Sequence, residues 1–186
     1  MRSQSCLLAI LLSSALVTAR AEERPADAQP VPCSAGKALG SRYTPVNLYL
    51  GAVECAKQPA TFEAATNMFV LAGVYGRYDI LRVKDESAHQ AVSVMRMAID
   101  GHLSHAFRQH LRHMAGSELG KLQLCAMVQR AGPPAYFPSY MVQHGLHSTQ
   151  AALHGRAPTS PLHEDLDTQA AWTDAVEGYL HCSETR

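Results

Sequence analysis

Four cysteines that outlast an export signal constrain this chain more than any other feature. Residues 1–21 read as a cleavable secretion signal. Arg2 supplies the positive start, Cys6 to Val17 is an apolar stretch too short to span a bilayer comfortably, and Ala19-Arg20-Ala21 is a small-x-small cleavage site. Cleavage there removes Cys6 and leaves Glu22 first, so no cysteine stands at the cut to carry a lipid anchor. Cys33, Cys55, Cys125 and Cys182 then enter an oxidising space, where an even set pairs into disulfides. Of the three connectivities open to four cysteines, the expected one is Cys33–Cys55 with Cys125–Cys182, because it ties each irregular terminal segment to a nearby helix.

Charge excludes several partner classes. Loss of Arg2 and Arg20 takes the 16 basic residues two below the 16 acidic ones. That near-neutral balance offers no electrostatic footprint for nucleic acid or anionic lipid. No second apolar run approaches membrane length, so the expected mature chain is soluble, with no membrane insertion. All ten histidines lie in the mature part, and below about pH 6 their charging would swing the net charge positive.

Helical signals dominate the mature chain. Residues 22–43, rich in Pro, Ala, Gly and charge, read as an extended leader pinned at Cys33; residues 44–186 read as one helical domain. Thr44 as cap and Pro45 in the first turn open a helix to about Lys57. A second helix runs from about Pro59 or Thr61 to Ala72 with Gly73 as its stop, succeeded by a short helical piece over 75–83. Asp85 caps a helix to about Ile99, and another spans about His102 to Met114. Ser117 caps a further one through Val128. Gly132-Pro133-Pro134 is a turn, Ser139 starts a helix weakened at Gly145, and the last helix runs from about Glu164 to His181. No alternating run of β-branched residues demands a strand. The expected class is all-α, a disulfide-linked compact array of six to seven helices in antiparallel hairpins.

Leu50-Gly51 on the first helix, with Ala65, Phe69 and Ala72 on the second, resembles one tetratricopeptide or Sel1-like repeat. In such repeats a Leu-Gly pair lets the second helix pack closely, while the large ring fills the groove between them. The aromatic positions of the first helix are unmatched and no closing proline comes after; an ordinary helix hairpin explains the same residues. The resemblance implies a grooved array that binds other proteins.

Motifs for chemistry are weak. His102, His105 and His113 sit at spacings that place imidazoles on one side of the expected helix, an arrangement able to share Zn²⁺ or Cu²⁺; His144 and His147 repeat it. Yet no His-Glu-x-x-His stands here, and Arg108 and Arg112 lie on the adjacent face. There is no Gly-x-Ser-x-Gly, no Cys-x-x-Cys and no Gly-rich phosphate loop, so no cofactor is expected. Glu54 and Glu63 lie on the two helices of the first hairpin, where a facing pair would suit glycoside chemistry, though exposed helix charges are far commoner.

Two segments suit a protein partner instead. Tyr136, Phe137 and Tyr140 stand in a proline-stiffened stretch, and rigid aromatic side chains cost little entropy to order at an interface; a loop folded over the core with Phe137 buried is the competing reading. Glu164, Asp165 and Asp167 either complement a helix N-terminus or dock a basic partner. The expectation is therefore a secreted, periplasmic, non-catalytic protein-binding protein, an immunity protein neutralising a periplasmic toxin being one concrete role. A metal-dependent protein using the histidine face and a structural envelope scaffold are the rivals.

Overall fold

A computed structural model describes residues 28–154 and 160–185, so the signal-peptide reading lies outside the described residues. The chain is all-α. Among the described residues eight α-helices run in order: α1 (Pro45–Cys55), α2 (Phe62–Arg82), α3 (Gln90–Asp100), α4 (His105–Gly116), α5 (Glu118–Ala131), α6 (Ser139–Val142), α7 (Leu146–Leu153) and α8 (Thr168–Leu180). Among the described residues there is no strand, only an isolated antiparallel bridge between Val83 and Leu162. None of the described helices is long and apolar enough to cross a membrane.

Helix α2 is the centre. Fourteen of its 21 residues are buried, and α1, α3, α4, α5 and α8 all pack against it. A helix apolar on every side belongs inside rather than at the surface. The aromatic core is built on it: Phe69 meets the ring of Tyr49 edge-on at 5.3 Å, and Tyr75 and Tyr78 both approach Trp172 of α8. Local rules open the surrounding helices. Thr44 and Asn47 form a reciprocal capping box at α1, Ser117 accepts from the Gly120 amide at α5, and Asp167 accepts from the Gln169 and Ala170 amides at α8.

Several expected boundaries are corrected. Helix α2 does not stop at Gly73 but continues to Arg82, absorbing the separate piece expected over 75–83. A β-carbon on Gly73 would fall 2.2 Å from the Tyr179 ring, and one on Gly76 would fall 2.9 Å from Val92. Both glycines therefore serve close helix approach, and the helical cost of each, about 1 kcal/mol, is offset by the packing it admits. Helix α4 begins at His105, because Ser104 takes the cap by accepting from the Phe107 amide; His102 is left in the preceding turn. The helix expected from Ser139 breaks at Gly145 into α6 and α7. The last helix starts at Thr168, not Glu164, and ends at His181 in the left-handed conformation.

The leader is clamped along α1. Buried Val31 donates its N–H to the Asn47 carbonyl, and the Asn47 side-chain amide donates to the Gln29 carbonyl. Gly51 makes room: a β-carbon there would lie 2.5 Å from the Val31 carbonyl oxygen and 2.8 Å from the Met68 sulfur. The small residue of the Leu50-Gly51 pair thus admits the leader's backbone as well as the neighbouring helix.

The disulfides are Cys33–Cys55 and Cys125–Cys182, the expected pairing. The first fastens the leader to the end of α1; the second fastens the turn after α8 to α5. Their sequence separations of 22 and 57 residues set what each removes from the unfolded chain. On loop-closure entropy alone, Cys125→Ala/Cys182→Ala should cost about 4 kcal/mol and Cys33→Ala/Cys55→Ala about 3 kcal/mol. Urea denaturation of the two double variants checks the order, and a larger loss from the shorter loop contradicts it. Gly73→Ala should cost about 1–3 kcal/mol by forcing Tyr179 aside. Gly40→Ala, with open space around its β-carbon, should stay within about 0.5 kcal/mol of the parent in the same assay.

Candidate binding groove

A buried acid organises one end of the molecule. Asp79, on the last turns of α2, has no exposure. One carboxylate oxygen accepts from the Arg82 guanidinium at 2.7 Å; the other accepts from the Tyr136 hydroxyl at 2.9 Å and the Tyr140 hydroxyl at 2.7 Å. Arg82 also donates to the Tyr136 carbonyl and lies over the rings of Tyr78 and Tyr136. A buried ion pair survives best when its other hydrogen-bonding positions are filled, and here both carboxylate oxygens and the Arg82 Nε and Nη2 have partners. The network fastens residues 136–140, and with them α6, onto α2.

Burial pushes the Asp79 carboxyl above the ordinary carboxylate range, against the pull of Arg82 and the two phenol hydroxyls. Burial and the adjacent carboxylate together hold Tyr136 and Tyr140 well above the usual tyrosine range, so both remain donors.

Beside this network lies a groove of about 590 Å³. Its first wall is the leader and the start of α1, with Ala28, Thr44, Val46 and Asn47. The second is α3 and the turn before it, with Ser87, Gln90, Ala91, Val94 and Met95. The third is α6 and the residues after it, with Ser139, Tyr140, Gln143 and His144. None of these lining residues is an aspartate, glutamate, lysine or arginine. Much of their polar capacity is already committed. Thr44 and Asn47 cap α1, Ser87 donates to Asp85 and accepts from the Leu146 amide, and Tyr140 holds Asp79. Val94 of the lining, and Phe137 and Leu146, each two residues along the chain from a lining residue (Ser139 and His144), are among the exposed large apolar side chains.

The third wall is held by a second acid. Asp85 accepts from the Ser87 amide in its own turn and, from the other carboxylate oxygen, from the His147 amide at the start of α7. Helix α7 has Gly145 at its cap position and no capping side chain of its own. A β-carbon on Gly145 would lie 2.3 Å from the Asp85 carboxylate. These hydrogen bonds hold the Asp85 pKa below the ordinary carboxylate value, against the opposing effect of its desolvation.

The sequence-derived candidates scatter. Of the three aromatic residues expected to face a partner, Tyr136 and Tyr140 turn their hydroxyls inward onto Asp79 and only Phe137 points out, 53% exposed, which also overturns the competing reading of a loop with Phe137 buried. A Phe has no hydroxyl to offer the buried acid, whereas both tyrosines do. His102, His105 and His113 are exposed, with His102 off the helix, and among the described residues no group of three or more His, Cys, Asp or Glu is placed to share a metal ion. His110 packs instead against the Phe62 ring. Glu54 pairs with Lys57 and Glu63 with Lys37, so the two carboxylates face different lysines. Glu164 lies 4.0 Å from Lys84, Asp165 stands beside it ahead of α8, and Asp167 is taken up by the helix cap.

No protein-family model, curated protein or solved structure matches the chain. The groove's own geometry therefore carries its meaning.

Removing Asp79 should leave the largely buried Arg82 guanidinium without its countercharge, so Asp79→Ala should cost about 3–5 kcal/mol. Tyr140→Phe should cost about 1.5–3 kcal/mol, the value of a hydrogen bond to a charged group. Because the folded Asp79 pKa is raised, the native state holds more protons than the unfolded one between the ordinary carboxylate value and the folded one. This carboxyl's contribution to stability should consequently fall as pH rises through that window. Chemical denaturation from pH 4 upward checks the sign, and Asp79→Asn should lose that contribution to the slope.

Proposed function

We propose that this is a non-catalytic protein-binding protein of an oxidising, extracytoplasmic compartment, acting by stoichiometric docking through the groove between α1, α3 and α6. The observation that carries the reading is the combination of fixed walls and apolar lips. The Asp79 and Asp85 networks lock the third wall in place, while Val94 stands exposed in the lining and Phe137 and Leu146 stand exposed two residues along the chain from it. Large apolar side chains held in solvent beside a preformed groove suit a surface completed by a partner. A wall already ordered lowers the entropic cost of association. The two disulfides are in keeping with export to the periplasm, and the repeat resemblance of the first hairpin points to the same class of role. An inhibitor that neutralises a toxin acting in the periplasm, as immunity proteins do, is the specific role we favour.

A photo-crosslinking residue placed in vivo at Val94 or Phe137 should yield an adduct of one discrete mass, and the same residue at Leu119, exposed on α5, should not. The partner so identified, once purified, should form a one-to-one complex that Phe137→Ala weakens about tenfold or more. Equal crosslinking at all three positions, or an affinity unchanged by Phe137→Ala, removes the groove from the reading.

A further inference from the structure

We propose that what enters the groove is an extended, uncharged segment of the partner's chain, held by its backbone between Gln90 and Gln143 with an aliphatic side chain against Val46 and Val94. This rests on the protein-binding reading above and specifies its ligand.

The first argument is charge. Asp, Glu, Lys and Arg make up 17% of the chain, yet none is among the groove's lining residues within the described part of it, where His144 is the one basic side chain. An ionised side chain entering it would exchange water for walls with no countercharge, a desolvation loss with no return. Complementarity therefore favours a neutral ligand. The second argument is unspent hydrogen bonding. Gln90 on α3 and Gln143 just beyond α6 are exposed, line opposite walls, and make no side-chain hydrogen bond among the described residues. Each side-chain amide offers a carbonyl and an NH₂, the same acceptor and donor chemistry that a peptide group presents.

The third argument is a precedent within the fold. At the groove's edge the leader is held partly this way: the Asn47 side-chain NH₂ donates to the Gln29 carbonyl, while the Asn47 backbone carbonyl accepts from the Val31 N–H. One non-helical segment is thus gripped by an amide side chain on this rim, and Gln90 and Gln143 provide for a second one.

The test is an NMR titration of the chain beginning at Glu22 with three pools of end-capped hexapeptides: one uncharged, one acidic, one basic. The uncharged pool should shift the amide signals of Gln90, Val94 and Gln143 saturably, and the charged pools should not. Gln90→Glu and Gln143→Glu, both at exposed positions and so compatible with folding, should each weaken that binding about tenfold or more. Four results overturn the proposal: equal binding by a charged pool, binding indifferent to Gln143→Glu, no binding by any pool, or the same shifts produced by the neutral sugar maltotriose. Binding seen only with a chain that begins at Ala28 overturns it too and assigns the groove to the chain's own upstream residues. A partner crosslinked at Val94 while no pool binds leaves the protein-binding reading standing and removes only this one. Saturable peptide binding with no crosslinked partner does the reverse.

Discussion

The carboxylate of Asp79, without solvent exposure on a helix otherwise wrapped in apolar side chains, has to be satisfied from elsewhere in the chain, and the architecture around it depends on how that is done. Arg82 arrives from the same helix, three residues on. The two phenol hydroxyls arrive from a segment more than fifty residues later, which they fold down onto α2. Replacing such a cluster with apolar residues of similar volume often leaves a protein as stable or more so. What the polar version supplies here is geometry: with both hydroxyls committed to one carboxylate, α6 has one place to sit, and the groove wall it carries has one shape.

The core explains why this chain, though exported in expectation and twice bridged, is not a loop-rich fold held together for want of hydrophobic burial. A single cluster runs from Val31 of the leader through α1, α2, α4 and α5 to Leu180 of α8. The bridges act at its margins. Cys33–Cys55 secures the leader whose backbone lies over Gly51, and Cys125–Cys182 secures the end of α8 whose Tyr179 lies over Gly73. Each staples a segment against a glycine-made gap in a helix, where close approach has already replaced side-chain packing.

Short-range rules decide what is legible in the sequence. Thr44 with Pro45, Ser117, the break at Gly145 and the all-α class need only a few neighbouring residues, and the cysteine pairing emerges once each terminal segment is assigned to a nearby helix. Gly73 misleads because its reason for being glycine is a tyrosine on the last helix, and a C-cap glycine looks the same in one dimension. Spacing alone puts His102 on a helix, but Ser104, two residues later, wins the cap. The aromatic segment stands out in the sequence, yet which rings face inward depends on a buried acid that the stripe pattern of α2 does not register. Asp79 and Arg82, an opposite-charge pair at i and i+3 inside an apolar run, are the available signal. Gln90 and Gln143 carry none: exposed neutral amides are ordinary until two of them line one groove.

The capping of α7 by residues outside it has a kinetic meaning. A helix of eight residues is too short to persist alone in water, and this one lacks a starting side chain. Its first amides are held by Asp85 and Ser87, which are some sixty residues earlier in the chain. Helix α7 therefore cannot be an early nucleus. It condenses onto a surface that the α2–α3 connection has already built, and its later turns can open locally while the α2 core stays untouched.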